Sequence, residues 1–117
     1  MKRVQVRNRT RATVVARNAE VADGWFARLR GLIGRRELAD GDGMVITPCS
    51  SIHTFFMAFP IDVLFVDRHH RVVKAVPAVP PWRVGPVARG ARYVVELPPG
   101  TLLATRTTEG DELEWVC

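Results

Sequence analysis

Apolar and polar positions alternate in "VQV", and the β-branched, mostly apolar "ATVVA" follows on the other side of the polar "RNRT". A period of two places one face of a strand on a core, and the polar interruption predicts a hairpin. The period then changes. In "ADGWFARLRGLIGRRELADGDG", Trp25, Leu29, Leu32 and Ile33 fall at i, i+4, i+7 and i+8. That spacing predicts an amphipathic helix near residues 24–33, capped by Asp23, with Arg28, Arg35 and Arg36 on its outer side. Gly31 weakens this helix and Gly34 can end it. "ADGDG" reads as a turn, since the other ligand positions of a calcium loop are absent.

From Met44 onward the pattern returns to β. "MVITPC", "SIHTFFM", "IDVLFVD", "RVVKAV" and "RYVVEL" are rich in branched and aromatic residues. The turn "VDRHHR" pairs Asp62–Asp67 with Arg71–Val76 as a second hairpin. "AVPAVPPWRVGPVARG" carries four prolines, which cannot donate into a ladder, so it reads as a loop or an irregular edge. "LPPGTLLATRTTEGDELEWV" reads as a turn, a short helical turn near residues 99–105, a glycine turn and a closing strand. The expected fold is therefore mainly β (α+β), a small mixed β-barrel-like domain spanning residues 1–117 as one unit.

Composition narrows this picture modestly. The chain has 117 residues, 47% hydrophobic and 25% charged, an ordinary balance for a packed domain. No apolar run approaches the roughly 20 residues of a membrane span. The basic start "MKRVQVRNRTRATVV" lacks the apolar block of a signal peptide, so a cytoplasmic location is expected. Two cysteines, Cys49 and Cys117, do not make a disulfide framework, and two free thiols are expected. The net charge of +5 is uneven: residues 1–36 hold ten Lys/Arg against two Asp/Glu, and residues 37–117 hold seven against ten. The Arg-rich N-terminal third raises a nucleic-acid surface as one reading. The competing reading is an ordinary solvent face of edge strands, because those arginines alternate with apolar residues.

Cys49, His53 and Met57 recur at steps of four. On a helix they would lie about 6 Å apart and could share a soft metal ion. On a strand they share a face but sit roughly 13 Å apart at about 3.3 Å per residue. Pro48, Pro60 and the Thr, Phe and Ile between them favour the strand, so no metal and no cofactor is expected. A Cys49–His53 nucleophile pair meets the same obstacle. Alternation puts Asp62 on one face with Leu64 and Val66, where a carboxylate must be paired, hydrogen-bonded or open to a cavity. Glu96 in "RYVVEL" poses the same problem. Phe55, Phe56, Phe59 and Trp82, with Arg83 or Arg92, supply an aromatic and basic setting for a pocket around His53 and Asp62.

Three blocks, "ARLRGLIGRRELADGDGMVI", "SIHTFFMAFPIDVLFVDRHHRVV" and "ARYVVELPPG…EGDELEW", resemble in order and spacing the domain-of-unknown-function 192 family over residues 23–115. The match runs through Gly43, Met44, His53, Phe55, Met57, Asp62, Asp67, Glu96 and Asp111. The sequence departs from it at Phe56, where relatives commonly carry Trp, and at Ala58, Phe59 and Pro60, where polar residues are usual. The resemblance implies a compact barrel-like domain with a short helix and no established activity. The functional expectation is a non-enzymatic module binding a small ligand or a protein partner through His53, Phe55, Met57, Asp62, Trp82, Arg92 and Glu96. The first alternative is a hydrolase-like enzyme with His53 as acid/base oriented by Asp62. The second is nucleic-acid binding through the N-terminal arginines.

Overall fold

The computed structural model describes residues 2–24, 28, 32, 33, 35, 37–54 and 57–117. Nine strands and one short helix are defined among them: β1 (Arg3–Asn8), β2 (Thr13–Ala22), β3 (Asp42–Ile46), β4 (Ser51–His53), β5 (Ile61–Val66), β6 (Val72–Val79), β7 (Val84–Val87), β8 (Tyr93–Leu97), α1 (Thr101–Thr105) and β9 (Leu113–Val116). The amphipathic helix expected near residues 24–33 lies largely outside the described residues, as do Trp25, Leu29, Gly31 and Phe55. One helical bond is seen there, from the Arg28 N–H to the Gly24 carbonyl at 2.9 Å.

Seven strands form one sheet in the order β6-β5-β8-β3-β2-β1-β9. Both hairpins read from sequence are present, as β1–β2 and β5–β6. All neighbours are antiparallel except β2 and β3, which run parallel. The outer strands meet at one end. Arg71 bridges Glu112, Val72 donates to the Asp111 carbonyl at 2.8 Å, and Leu113 donates to the His70 carbonyl at 2.8 Å. The sheet therefore curls into a half-barrel, which shortens its open edges.

Alternation along the strands builds two cores. Leu64 and Val66 of β5, Tyr93, Val95 and Leu97 of β8, and Val45 of β3 face the first. It draws on every strand of the seven-stranded sheet and is closed by Leu102 of α1. Ile61, Val63 and Phe65 of β5, Val94 of β8, and Met44 and Ile46 of β3 face the second, with Ile52 and Met57. Because both faces are covered, all six residues of β5 and all five of β8 are buried. Gly43 lets β3 approach its neighbours, since a Cβ there would meet the Glu96 carbonyl oxygen at 3.2 Å and Ala16 Cβ at 3.3 Å.

β4 and β7 pair with each other as a separate two-stranded flap. The proline-rich stretch thus yields real strands: it contains the end of β6 and all of β7. β6 is an edge strand, where Pro77 is tolerated. The flap is anchored by Thr54, which is fully buried. Its N–H donates to the Arg83 carbonyl at 2.8 Å, its hydroxyl donates to the Pro80 carbonyl at 2.6 Å, and its hydroxyl accepts from the Arg83 N–H at 2.8 Å.

Candidate functional site

Two buried carboxylates lie on adjacent central strands. Asp62 of β5 is opposite Leu97 of β8, one register step from Val63 opposite Glu96. By alternation Asp62 faces the first core and Glu96 the second. Their chemistry is correspondingly different.

Asp62 is 1% exposed, and both of its oxygens are used. Oδ1 accepts from the Ala78 N–H at 2.8 Å, and Oδ2 accepts from the Leu102 N–H at 2.9 Å. The first bond follows from Pro77. The β5–β6 register shifts between Ile61 and Val63, and Ala78 stands at a positive φ of 49°. The bulge leaves the Ala78 N–H without a ladder acceptor, and Asp62 supplies one. The second bond caps α1, whose N-cap residue Gly100 has no side chain to do so. Asp62 thus ties a bulge to a helix start.

Glu96 is 3% exposed, and its Oε1 has no hydrogen-bond partner among the described residues. Burial pushes its pKa up from 4.5 to about 7. It lines a cavity of about 50 Å³ with Arg28, Ile46, Cys49, His53 and Met57. That volume holds a water or two or one small head group, not a whole metabolite. Cys49, His53 and Met57 therefore do share a site. The extended spacing that would separate them is not realised, because β4 covers only Ser51–His53 and the Met57 N–H bonds back to the Thr54 carbonyl at 3.2 Å.

The cavity offers no activated nucleophile in Cys49. Burial raises the thiol pKa, a backbone hydrogen bond at Ser51 lowers it, the nearby Glu96 charge raises it and Arg28 lowers it, with burial prevailing. The Cys49 thiol donates to the Ser51 carbonyl at 2.9 Å. A thiol held as a donor is a poor attacking group. Cys49 and Cys117 are both free. Among the described residues, no group of three or more His, Cys, Asp or Glu is placed to hold a metal ion.

Several expected site residues lie elsewhere. Asp62 is not in the His53 cavity and does not orient His53, because both its oxygens are committed to backbone donors on the other face. Trp82 does not line the cavity either: it is 59% exposed on the flap loop, with its N–H donating to the Thr54 carbonyl at 2.8 Å. Arg92 lines a different cleft with His70, Tyr93 and Trp115. Sequence reasoning did not single out that aromatic set, whose members are about two dozen residues apart and meet only through the closing of the sheet.

The N-terminal arginines are partly neutralised where they stand. Arg3 and Arg35 both reach Glu20, at 3.1 and 2.8 Å, and Arg11 reaches Asp111 at 3.2 Å. No helix among the described residues is long and apolar enough to cross a membrane.

Comparison with known proteins agrees with the resemblance read from the motif blocks. A "UPF0127 protein" of Thermococcus sibiricus is 34% identical over 113 residues, covering 92% of this chain and 72% of the relative. A protein of unknown function from Novosphingobium aromaticivorans has the same fold, with a TM-score of 0.82 at 24% identity over 97% of this chain and 84% of that one. A Sinorhizobium meliloti structure gives a TM-score of 0.83 at 24% identity, over 97% and 92% of the two chains. The family model for DUF192, "Uncharacterized ACR, COG1430", matches residues 4–115, and the chain belongs to that family.

Proposed function

We propose that this protein is a non-enzymatic binding module whose Glu96 cavity receives one hydrogen-bond-donating head group, an ammonium or a hydroxyl. The observation that carries the reading is the buried Glu96 carboxyl with an open oxygen at a cavity wall. An unsatisfied buried carboxyl costs free energy that a donor from a ligand would recover. The body of such a ligand would rest on the flap. Val84 pairs across from His53 and is 80% exposed, beside exposed Trp82 and Val87.

The acid/base alternative is weaker because Asp62 is used elsewhere and the Cys49 thiol is raised. The nucleic-acid alternative is weaker because three of the basic groups are ion-paired, two of them sharing Glu20 and one with Asp111.

The test is an amide NMR titration with n-butylammonium and, separately, n-butanol. Saturable shifts are expected at Ser51, His53, Val84 and Glu96. In Glu96→Gln the ammonium should bind roughly tenfold more weakly, as expected for loss of a charged acceptor. Absence of saturable shifts at these positions, or equal ammonium affinity in the variant, would overturn the proposal.

A further inference from the structure

A second cleft lies at the end of the curl, where β8 and β9 bring distant aromatic residues together. His70, Tyr93 and Trp115 pack together, Trp115 edge to face with the other two and His70 tilted against Tyr93. The Tyr93 and Trp115 rings are 5.0 Å apart at 74°, and His70 lies 5.5 Å from Tyr93 and 5.8 Å from Trp115. His70 Nδ1 and the Tyr93 hydroxyl are hydrogen-bonded at 2.9 Å, which fixes both rings. Burial pushes the Tyr93 hydroxyl pKa up, so it stays a neutral phenol. With Thr47, Arg68 and Arg92 these rings line a cleft of about 440 Å³, large enough for a small molecule.

The charged side chains that line it, Arg68 and Arg92, are both basic. Arg68 and Arg92 are exposed and form no ion pair among the described residues, in contrast to Arg3, Arg11 and Arg35. The neighbouring carboxylate, Asp67, spends Oδ1 on its own turn, accepting from the His69 and Arg71 N–H groups at 2.8 and 3.0 Å, and its charge reaches Tyr93. Two exposed guanidiniums beside a rigid aromatic wall, that of Arg68 donating from Nε to His69 Nε2 at 3.3 Å, suit a particular chemistry. The planar forks pair with a carboxylate or phosphate, and the ring edges and faces take an aromatic body.

We propose that this cleft is a binding site for a small molecule carrying an aromatic ring and one carboxylate or phosphate group, held by Arg68 and Arg92 against the His70–Tyr93–Trp115 wall. It does not rest on the Glu96 cavity, which opens on the other face of β8.

Phenyl phosphate is the probe, with inorganic phosphate and phenol as its two halves. An NMR titration should show saturable shifts of the Trp115 indole N–H and of the Thr47, Arg68, His70 and Arg92 amides. Phenyl phosphate should bind roughly tenfold more tightly than either half, since ring and anion contacts combine. Arg68→Ala and Arg92→Ala, both at exposed positions, should each weaken it by up to about tenfold. Glu96→Gln should leave it unchanged. Equal affinity for phenyl phosphate and inorganic phosphate, undiminished binding in the Arg68→Ala/Arg92→Ala protein, or no saturable shift would each overturn the proposal.

Discussion

Asp62 and Glu96 stand one register step apart on neighbouring strands, and both are almost completely buried. One is a fastener and the other an opening. Asp62 meets two backbone donors created by a proline bulge and an uncapped helix start. Glu96 faces a small cavity with one oxygen unanswered among the described residues. Burial alone therefore says little about a carboxylate's role; the donors that the fold delivers to it decide.

The largest effect should come from destroying the fastener. Asp62→Ala strands the Ala78 and Leu102 N–H groups and should cost about 3–5 kcal/mol, from two bonds to a charged acceptor. Urea denaturation should show a lower midpoint with an unchanged slope. A change below about 1 kcal/mol would break the contrast, because Asp62 would then be as dispensable as an unpaired group.

Glu96 should behave in the opposite sense. Its folded pKa is raised from 4.5 to about 7, so the folded state holds the proton that the unfolded chain has released. Stability should fall as pH rises from 4.5 to about 7 and then level off. Above that range the penalty approaches about 3 kcal/mol. Glu96→Gln lacks this slope, so it should match the wild type in acid and exceed it at pH 8. Denaturation of both proteins across pH checks the sign.

Asp111 supplies a third case, a buried carboxylate with a charged partner. Burial acts to raise its pKa, but bonds from Asn8, Thr108 and Arg11 outweigh this and lower it below 3.8. Its contribution is present above the unfolded value and is lost as pH falls through the folded one. Asp111→Asn should cost about 1–2 kcal/mol at neutral pH and flatten the acid limb of the stability profile. The smallest effect is expected from Tyr93→Phe, which removes the 2.9 Å bond to His70 but keeps the ring packing. Thermal unfolding should register about 1 kcal/mol.

The sequence made one half of this contrast legible. Strict alternation in "IDVLFVD" assigns Asp62 to the face of Leu64 and Val66, and the two hairpins follow from "RNRT" and "VDRHHR". What it left hidden is long-range. Ala78 and Leu102 lie 16 and 40 residues from Asp62, and no local pattern names them as donors. β7 was obscured by prolines because its ladder is supplied by β4, a partner of three residues. The same shortness of β4 brings Cys49, His53 and Met57 to one cavity, where an extended strand would have spread them. Arg92, drawn toward His53 by its chemistry, was carried elsewhere by the closing of the sheet, and Trp82 is held beside β4 by its bond to Thr54 without lining the cavity.

The open state of Glu96 is most directly measured by its side-chain carboxyl ¹³C shift, followed by NMR through a pH titration of the folded protein. A midpoint near 7 is the predicted result. A midpoint at the ordinary value of 4.5 would mean that the carboxylate is solvated or paired, and would contradict the account.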